Sequence, residues 1–133
     1  MVGIVIVSHS AKAAEGIKEL ADQMAGEKEA IAAVGGLEDG SIGTDAIRIM
    51  EAIKKVDTGD GVVVMVDLGS AVLSSTLAIE LLEDSIRKRI RIADAPILEG
   101  TIIAAVQASI GDSIDNVLAA AEESRSLLKK VYG

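Results

Sequence analysis

Residues 2–9 read VGIVIVSH and residues 62–67 read VVVMVD, two apolar and largely β-branched runs that each end in polar residues. A strand that is covered on both faces reads as a nearly continuous apolar run, whereas a half-exposed strand alternates. The two runs therefore predict central strands of a parallel sheet, over residues 2–7 and 62–66.

The segment between these strands predicts a helix, a weaker strand and a second helix. Apolar residues at helical spacing follow the first strand, and Gly26 is a plausible stop. Residues 30–34 form the weaker strand, and a glycine-rich loop follows over residues 35–41. Thr44 can cap the second helix. The helical faces are defined by Ile17, Leu20, Ala21 and Met24, and then by Ala46, Ile49, Met50 and Ile53.

The second half of the chain continues the same alternation. Residues 89–92 alternate charged and apolar, which predicts a strand near a sheet edge. Pro96 precedes a fourth helix, and Gly111 separates it from a last one that Asp112 or Ser113 can cap. The third helix, marked by Leu73, Leu77 and Leu81, is apolar on more than one side and is expected to be well buried. The later helices are marked by Ile103, Val106 and Ile110, and by Ile114, Val117, Leu118 and Ala121.

Alternating strands and helices predict an α/β fold, a three-layer sandwich with a mainly parallel central sheet flanked by helices. A chain of 133 residues with 50% apolar residues can bury one core, and no repeat or linker divides it. A single domain over residues 1–133 is expected. Met50 and Met65 are assigned to its core.

Composition excludes several classes of function. Cysteine is absent, which removes disulfides and thiolate metal sites, and the single histidine argues against a histidine-based metal centre. A net charge of −8 repels nucleic acid. Neither a signal peptide nor a membrane span is readable, so a cytoplasmic protein is expected. The phosphate-binding loop of nucleotide-binding enzymes is also missing.

One histidine and one aspartate directly follow the two central strands, as His9 and Asp67. Reactions on an open parallel sheet occur at the carboxyl ends of its strands. If the two strands are neighbours, their ends are about 4.8 Å apart, so the carboxylate reaches one imidazole nitrogen. That pair suits phosphoryl transfer, with His9 as phosphoacceptor and Asp67 orienting it, because the carboxylate fixes the tautomer and frees the other nitrogen.

Four further residues are candidates for phosphate binding. Gly69 and Ser70 open the third helix, where free N–H groups and the helix dipole favour an anion and the serine hydroxyl is an added donor. Ser10 adjoins the histidine, and Gly36 belongs to the glycine-rich loop that can line the same crevice. His9 and Asp67 also have ordinary structural explanations, because a lone histidine is often a surface residue and an aspartate after a strand often caps a helix.

Three segments resemble the mannose-type IIA phosphocarriers of the bacterial sugar phosphotransferase system (PTS): residues 2–10, residues 62–70, and residues 92–100, IADAPILEG. Within that family, residues 35–44, GGLEDGSIGT, and residues 96–100 are similar to the phosphocarrier subunits of PTS-dependent dihydroxyacetone kinases. The sugar-type members usually carry a longer Gly-Gly-Ser-Pro turn after the aspartate, whereas this chain has Leu-Gly-Ser-Ala at residues 68–71. That difference favours the kinase branch. The resemblance covers almost the whole chain.

The resemblance implies a phosphotransferase that works through a phosphohistidine. His9 would take phosphate from the general phosphocarrier HPr and give it to ADP held in the DhaL subunit of the DhaK–DhaL kinase system. No cofactor would bind this chain directly. Some relatives continue into fused phosphocarrier domains, whereas this chain stops at Gly133, so a separate donor is expected. The family also forms homodimers, and residues 114–121 are a candidate contributor.

Other functions remain open at this point. A sugar-specific IIA protein shares both residues but passes phosphate to a IIB domain, so the identity of the acceptor separates the two. A binding module, in which His9 is incidental, would fail to become phosphorylated. A receiver-like domain phosphorylated on aspartate fits less well, because an acidic cluster near the first strand and a lysine at a later strand end are not apparent.

Overall fold

The computed structural model describes residues 1–130 and has the α/β fold that the sequence predicts. The described chain contains four strands, six α-helices and a short 3₁₀ turn at Ser124–Ser126. In chain order the strands and helices are β1 (Gly3–Ser8), α1 (Ala11–Ala25), β2 (Ile31–Gly35), α2 (Ala46–Val56), β3 (Val62–Val66), α3 (Gly69–Glu80), α4 (Asp84–Arg87), β4 (Ile90–Ile92), α5 (Ile97–Ser109) and α6 (Ile114–Glu123).

All four strands are parallel, in the order β2-β1-β3-β4. The two apolar runs of the sequence are the two central strands, and β1 pairs with β3 directly, with Ile4 opposite Val63 and Val7 opposite Val66. The chain leaves β1 toward β2 on one side and later returns to place β3 on the other side. The reversal of strand order at β1 and β3 creates a crevice at their carboxyl ends.

Successive strand residues point to opposite faces of the sheet, and both faces are covered. Ile4 and Ile6 pack on one side with helices α1, α5 and α6. Val5 and Val7 pack on the other side with helices α2 and α3. The two methionines assigned to the core contribute to it, because Met65 is fully buried and Met50 is partly buried against the layer of Val5 and Val7. The result is a helix–sheet–helix sandwich with two apolar layers.

The buried residues of α1, α3 and α5 are small. The expected face of α1 is wrong in part, because Leu20 and Met24 are exposed while Ala14 and Ala21 are buried. Helix α3 is likewise less buried than predicted: Leu73, Leu77 and Leu81 are all exposed. The bulky strand residues fill the space, so the helix backbones lie close to the sheet and only small side chains fit beneath them. The buried helix residues of this kind are Ala71, Ser75 and Ala78 in α3 and Gly100, Thr101, Ala104, Ala105 and Ala108 in α5.

The structure corrects the predicted N-cap of α2 and decides between the two candidates for the N-cap of α6. Asp45, not Thr44, caps α2, since its carboxylate accepts hydrogen bonds from the backbone N–H groups of Ile47 and Arg48. Ser113 is the residue that caps α6. The apolar spacing of α6 reflects the core, because Val117 and Ala121 are fully buried within the chain. That face of residues 114–121 is therefore not free for a partner.

The edge strand is shorter than predicted, and a helical turn precedes it. β4 covers only Ile90–Ile92. Arg89, directly before it, makes a bidentate ion pair through its side chain with the buried carboxylate of Asp57 at the end of α2. The short helix α4 was not predicted, since four residues give no periodic signal. Within residues 1–130, no helix is both long enough and apolar enough to cross a membrane.

One buried carboxyl lies at the opposite end of the sheet from the histidine. Glu29, which precedes β2, is 6% exposed, and one of its oxygens accepts a hydrogen bond from the backbone N–H of Ala30. The other oxygen has no hydrogen-bond partner among the described residues. Burial therefore raises the pKa of Glu29 to about 7, against the opposing effect of the Ala30 hydrogen bond.

The raised pKa of Glu29 makes the stability of the fold depend on pH. The unfolded chain ionises this group near its ordinary value of 4.5, so the contribution of Glu29 to stability is complete below that pH and is lost as the pH rises to about 7. We expect the unfolding free energy of Glu29→Gln, relative to wild type, to rise on the order of 1–3 kcal/mol between these limits. Urea titrations across that pH range measure the difference. Glu27→Gln, which replaces an exposed carboxyl two residues away, is the control. If the unfolding free energy relative to wild type were independent of pH for both variants, the prediction would be contradicted.

Candidate functional site

The histidine and the aspartate lie side by side because β1 and β3 are neighbours. Val7 and Val66 are register partners, and the next residue of β3, Asp67, donates its backbone N–H to the carbonyl of Val7 at 3.2 Å. The chain then turns into α1 on one side and α3 on the other. His9 and Asp67 are thus held at adjacent strand ends, as the sequence predicts.

The carboxylate of Asp67 receives four hydrogen bonds, two on each oxygen. Oδ1 lies 2.9 Å from Nδ1 of the His9 ring and 2.8 Å from the backbone N of Leu68. Oδ2 lies 2.9 Å from the backbone N of His9 and 3.0 Å from Oγ of Ser8. Both the main chain and the side chain of His9 are therefore attached to one carboxylate.

This environment keeps the carboxylate ionised. The side chains of His9 and Asp67 are each 19% exposed. Burial favours the neutral acid, but hydrogen bonds from the His9 backbone, the His9 ring and the Ser8 hydroxyl outweigh it and hold the pKa of Asp67 below its usual value. An ionised carboxylate only accepts hydrogen bonds, so His9 Nδ1 must carry the proton.

The other ring nitrogen faces the beginning of α3. His9 Nε2 lies 2.6 Å from Oγ of Ser70, and in the neutral ring, whose one proton is on Nδ1, Nε2 is the acceptor of the serine hydroxyl. Helix α3 begins at Gly69, and its N-cap residue Leu68 offers no side-chain acceptor. The first N–H groups of the helix, those of Gly69 and Ser70, are therefore available beside Nε2.

The two remaining predicted phosphate-binding residues lie close by but already have structural contacts. Ser10 is the N-cap of α1, and its hydroxyl oxygen accepts from the backbone N–H of Ala13 at 3.2 Å. Gly36 donates its N–H to the carbonyl of Ser8 at 3.2 Å and adopts φ +67°, which favours glycine. The Gly36 N–H is thus not free for an anion in this arrangement.

The segment that follows the glycine-rich loop closes against the histidine through contacts that were not predicted. Gly43 donates its N–H to the carbonyl of His9 at 3.0 Å, and the hydroxyls of Thr44 and Ser74 lie 2.6 Å apart, which ties the loop to α3. Arg48 donates to the carbonyl of Gly36 at 2.7 Å. The only signal in the sequence was the Ile-Gly-Thr triplet at residues 42–44, which does not indicate what it contacts.

A cleft of about 460 Å³ adjoins the site on the β4 side. It is lined on one wall by Asp67, Leu68, Gly69 and Val72, and on the other by residues 92–95. The surface of this cleft is mainly apolar, and Leu68 at its rim is 61% exposed. Ser70 and His9 therefore stand beside an open apolar surface rather than in an enclosed cavity.

Taken together, the geometry gives a histidine with one oriented, unprotonated nitrogen near the uncapped start of a helix. The aspartate fixes the ring and the tautomer, and the lone pair of Nε2 points toward hydrogen-bond donors that suit an anion. Such an arrangement can accept an electrophile that brings several anionic oxygens.

Comparison with known proteins identifies the family of the chain. Residues 3–118 match the family model EIIA-man, described as PTS system fructose IIA component. The chain belongs to this mannose-type PTS IIA family.

Its curated relatives narrow the position within that family. The chain is 49% identical over 123 residues to the "PEP-dependent dihydroxyacetone kinase, phosphoryl donor subunit DhaM" of Klebsiella michiganensis, and 47% identical over 121 residues to that of Escherichia coli; each match covers 89% of this chain and 26% of the relative. The chain thus spans about a quarter of the length of these relatives. A "PEP-dependent dihydroxyacetone kinase 2, phosphoryl donor subunit DhaM" of Listeria innocua is 38% identical, with 89% of this chain and 94% of the relative covered.

Solved structures share the same fold. A protein of unknown function, EF1359, superposes with a TM-score of 0.82 at 39% identity, covering 92% of this chain and 94% of that one. The phosphotransferase system component EIIA from Streptococcus agalactiae superposes with a TM-score of 0.69, with 97% of each chain covered. At 18% identity the second match supports the fold alone.

The tautomer of His9 is the property that follows most directly from this geometry. At neutral pH we expect the ring proton to reside on Nδ1, because the ionised Asp67 accepts it there. In Asp67→Ala the Nε2–H form should become a major species. The ¹⁵N chemical shifts of the ring nitrogens distinguish the two forms. Asp39→Ala, which removes an exposed loop carboxylate, is the control and should leave the shifts unchanged; an Nε2–H form in the wild-type protein would contradict the assignment.

Proposed function

We propose that the chain is a phosphocarrier in which Nε2 of His9 accepts and then releases a phosphoryl group. The observation that carries the proposal is the continuous set of hydrogen bonds from Asp67 through His9 to Ser70, at 2.9 Å and 2.6 Å, at the uncapped start of α3. In the acceptance step, the lone pair of Nε2 forms the new bond to phosphorus while the bond from phosphorus to the donor breaks. The proton on Nδ1 stays in its hydrogen bond to Asp67, which offsets the positive charge that develops on the ring.

The proposed phosphate site is formed by the residues around Nε2. The Ser70 hydroxyl turns from the ring nitrogen to a phosphate oxygen, and the N–H groups of Gly69 and Ser70 at the start of α3 receive the others. The Ser10 oxygen only accepts the hydrogen bond that caps α1, so its hydroxyl proton remains available to donate to the phosphate. Gly36 contributes through the shape of the loop beside the site, because its φ of +67° favours glycine and a Cβ there would lie 3.0 Å from the carbonyl oxygen of Ser41.

The proposed donor is the phosphocarrier HPr, and the proposed acceptor is ADP held by a DhaL subunit of a DhaK–DhaL system. The names of the relatives support this choice, because they describe phosphoryl donor subunits of PEP-dependent dihydroxyacetone kinases. The open apolar cleft beside the histidine suits approach by a protein surface. In this proposal the chain binds no cofactor of its own, and the reaction takes place in the cytoplasm.

Phosphorylation at His9 is the first test. Incubation with PEP, Enzyme I and HPr should give wild-type protein an acid-labile, base-stable phosphoryl adduct, and His9→Ala should give none. Intact-mass spectra at acid and alkaline pH measure the adduct. His9 is the only histidine, so the His9→Ala variant has no residue on which a phosphohistidine could form. A phosphoryl group on serine or aspartate, or no phosphorylation of the wild type, would refute the proposal.

The same phosphorylated protein identifies the acceptor. Free ADP should not discharge His9, whereas DhaL loaded with ADP should do so rapidly and yield ATP bound to DhaL. A mannose-type IIB domain is the matched competitor. Rapid discharge by the IIB domain but not by DhaL would assign the chain to sugar transport instead.

We also propose that the chain forms a homodimer through the outer face of α3. Leu73 and Leu77 on this face, and Leu81 directly after the helix, repeat every four residues and are 73%, 52% and 49% exposed. Exposed leucines that form a continuous stripe are unusual on a solvated helix and are typical of a surface that packs against another chain. A second copy would bury the same leucines on both sides of a two-fold axis.

A single charge in this stripe tests the dimer. Sedimentation velocity of the wild-type protein should give about twice the chain mass of 13.7 kDa, and Leu77→Glu should give the monomer, because two carboxylates would meet near the axis. Leu20→Glu places the same charge on the outer face of α1, where the leucine is 49% exposed, and should leave the dimer intact. A monomeric wild type, or dissociation by both variants, would contradict the proposed interface.

A further inference from the structure

Ser8 is a buried hydroxyl that lies between the aspartate and the start of α1. It is the last residue of β1 and is 2% exposed. Its Oγ lies 3.0 Å from Oδ2 of Asp67 and 3.1 Å from the backbone N of Ser10. A backbone N–H can only donate and an ionised carboxylate can only accept. The Ser8 hydroxyl therefore accepts from Ser10 and donates to Asp67, and its direction is fixed.

This hydroxyl completes the hydrogen bonding of the carboxylate. A carboxylate offers about four lone-pair directions, and those of Asp67 are used by Ser8, by the backbone of Leu68, and by the backbone and ring of His9. Rotation of the carboxylate would therefore break several bonds at once. Apart from the His9 ring itself, Ser8 supplies the one donor in this set that belongs to a side chain.

We propose that Ser8 is a positioning residue of the site, whose hydroxyl holds Asp67 in the rotamer that presents Oδ1 to His9 Nδ1. Through this contact Ser8 keeps the ring proton on Nδ1 and the lone pair on Nε2, without touching the transferred group. The consequence for transfer rates rests on the proposed function. The consequence for the tautomer does not, since it belongs to the unphosphorylated protein.

Two substitutions and a matched control test this role. Ser8→Ala removes the hydroxyl, whereas Ser8→Thr retains it. Ser75→Ala is the control, because Ser75 is a fully buried serine in α3 whose hydroxyl has no hydrogen-bond partner among residues 1–130. The Ser75→Ala variant loses a hydroxyl oxygen that is as buried as that of Ser8, and it should leave both the tautomer and the transfer rate unchanged.

The expected result is a loss of tautomer preference together with slower transfer in Ser8→Ala alone. The ¹⁵N shifts of His9 should show both neutral forms, and the rate of phosphorylation by phospho-HPr should fall about 10- to 100-fold, the range for loss of an orienting contact. In Ser8→Thr both should return toward wild type. In the Asp67→Asn background, Ser8→Ala should have no further effect, because the residue acts through the carboxylate.

Three outcomes would overturn the role of Ser8. They are a wild-type tautomer and rate in Ser8→Ala, a folded Ser8→Thr as impaired as Ser8→Ala, and an equal additional loss when Ser8→Ala is combined with Asp67→Asn. The double variant also decides the matter if Ser8→Ala alone folds poorly, since a general loss of folding would add to any background. If the wild type is never phosphorylated on His9, the proposed function fails, and the tautomer readout still decides the role of Ser8.

Discussion

The parallel pairing of β1 with β3 is the constraint on which the rest of the site depends. Two strands that are distant in sequence end at the same level, so Asp67 meets both the backbone and the ring of His9. The pairing also directs the chain into α1 and α3 from adjacent points, and this brings the start of α3 to the second ring nitrogen. A shift of one residue in the register would turn every apolar side chain of β3 to the other face of the sheet, so the core that covers both faces fixes the site as well.

The main chain of this fold could be predicted because its strongest signals are local. The two apolar runs specify buried strands by composition alone, and their alternation with helices specifies a parallel sheet. The His9–Asp67 pair followed from the same reasoning, since both residues end central strands. Helix α3 also begins at Gly69, as the sequence indicated.

The inner faces of α1 and α3 could not be predicted in the same way, whereas Ile49 and Ile53 of α2 are buried as predicted. Apolar spacing favours burial of the largest aliphatic residues, but the space beneath α1 and α3 is already filled by valine and isoleucine from the strands. Ala14 and Ala21 therefore face the sheet, while Leu20 is left outside. The contacts of Thr44 and Ser8 were missed because a hydroxyl identifies its partner only once the chain is folded.

The unequal lengths of the strands affect which parts of the sheet open most readily. β4 has three residues and a neighbour on one side only, whereas β1 and β3 each have a strand on both sides. Opening fluctuations of a native protein begin where few backbone bonds must break, so the β4 edge should exchange its amide hydrogens faster than the centre. The strands that carry His9 and Asp67 lie at the slowly exchanging centre of the sheet. The relative position of the two side chains is therefore kept while the β4 edge opens and closes.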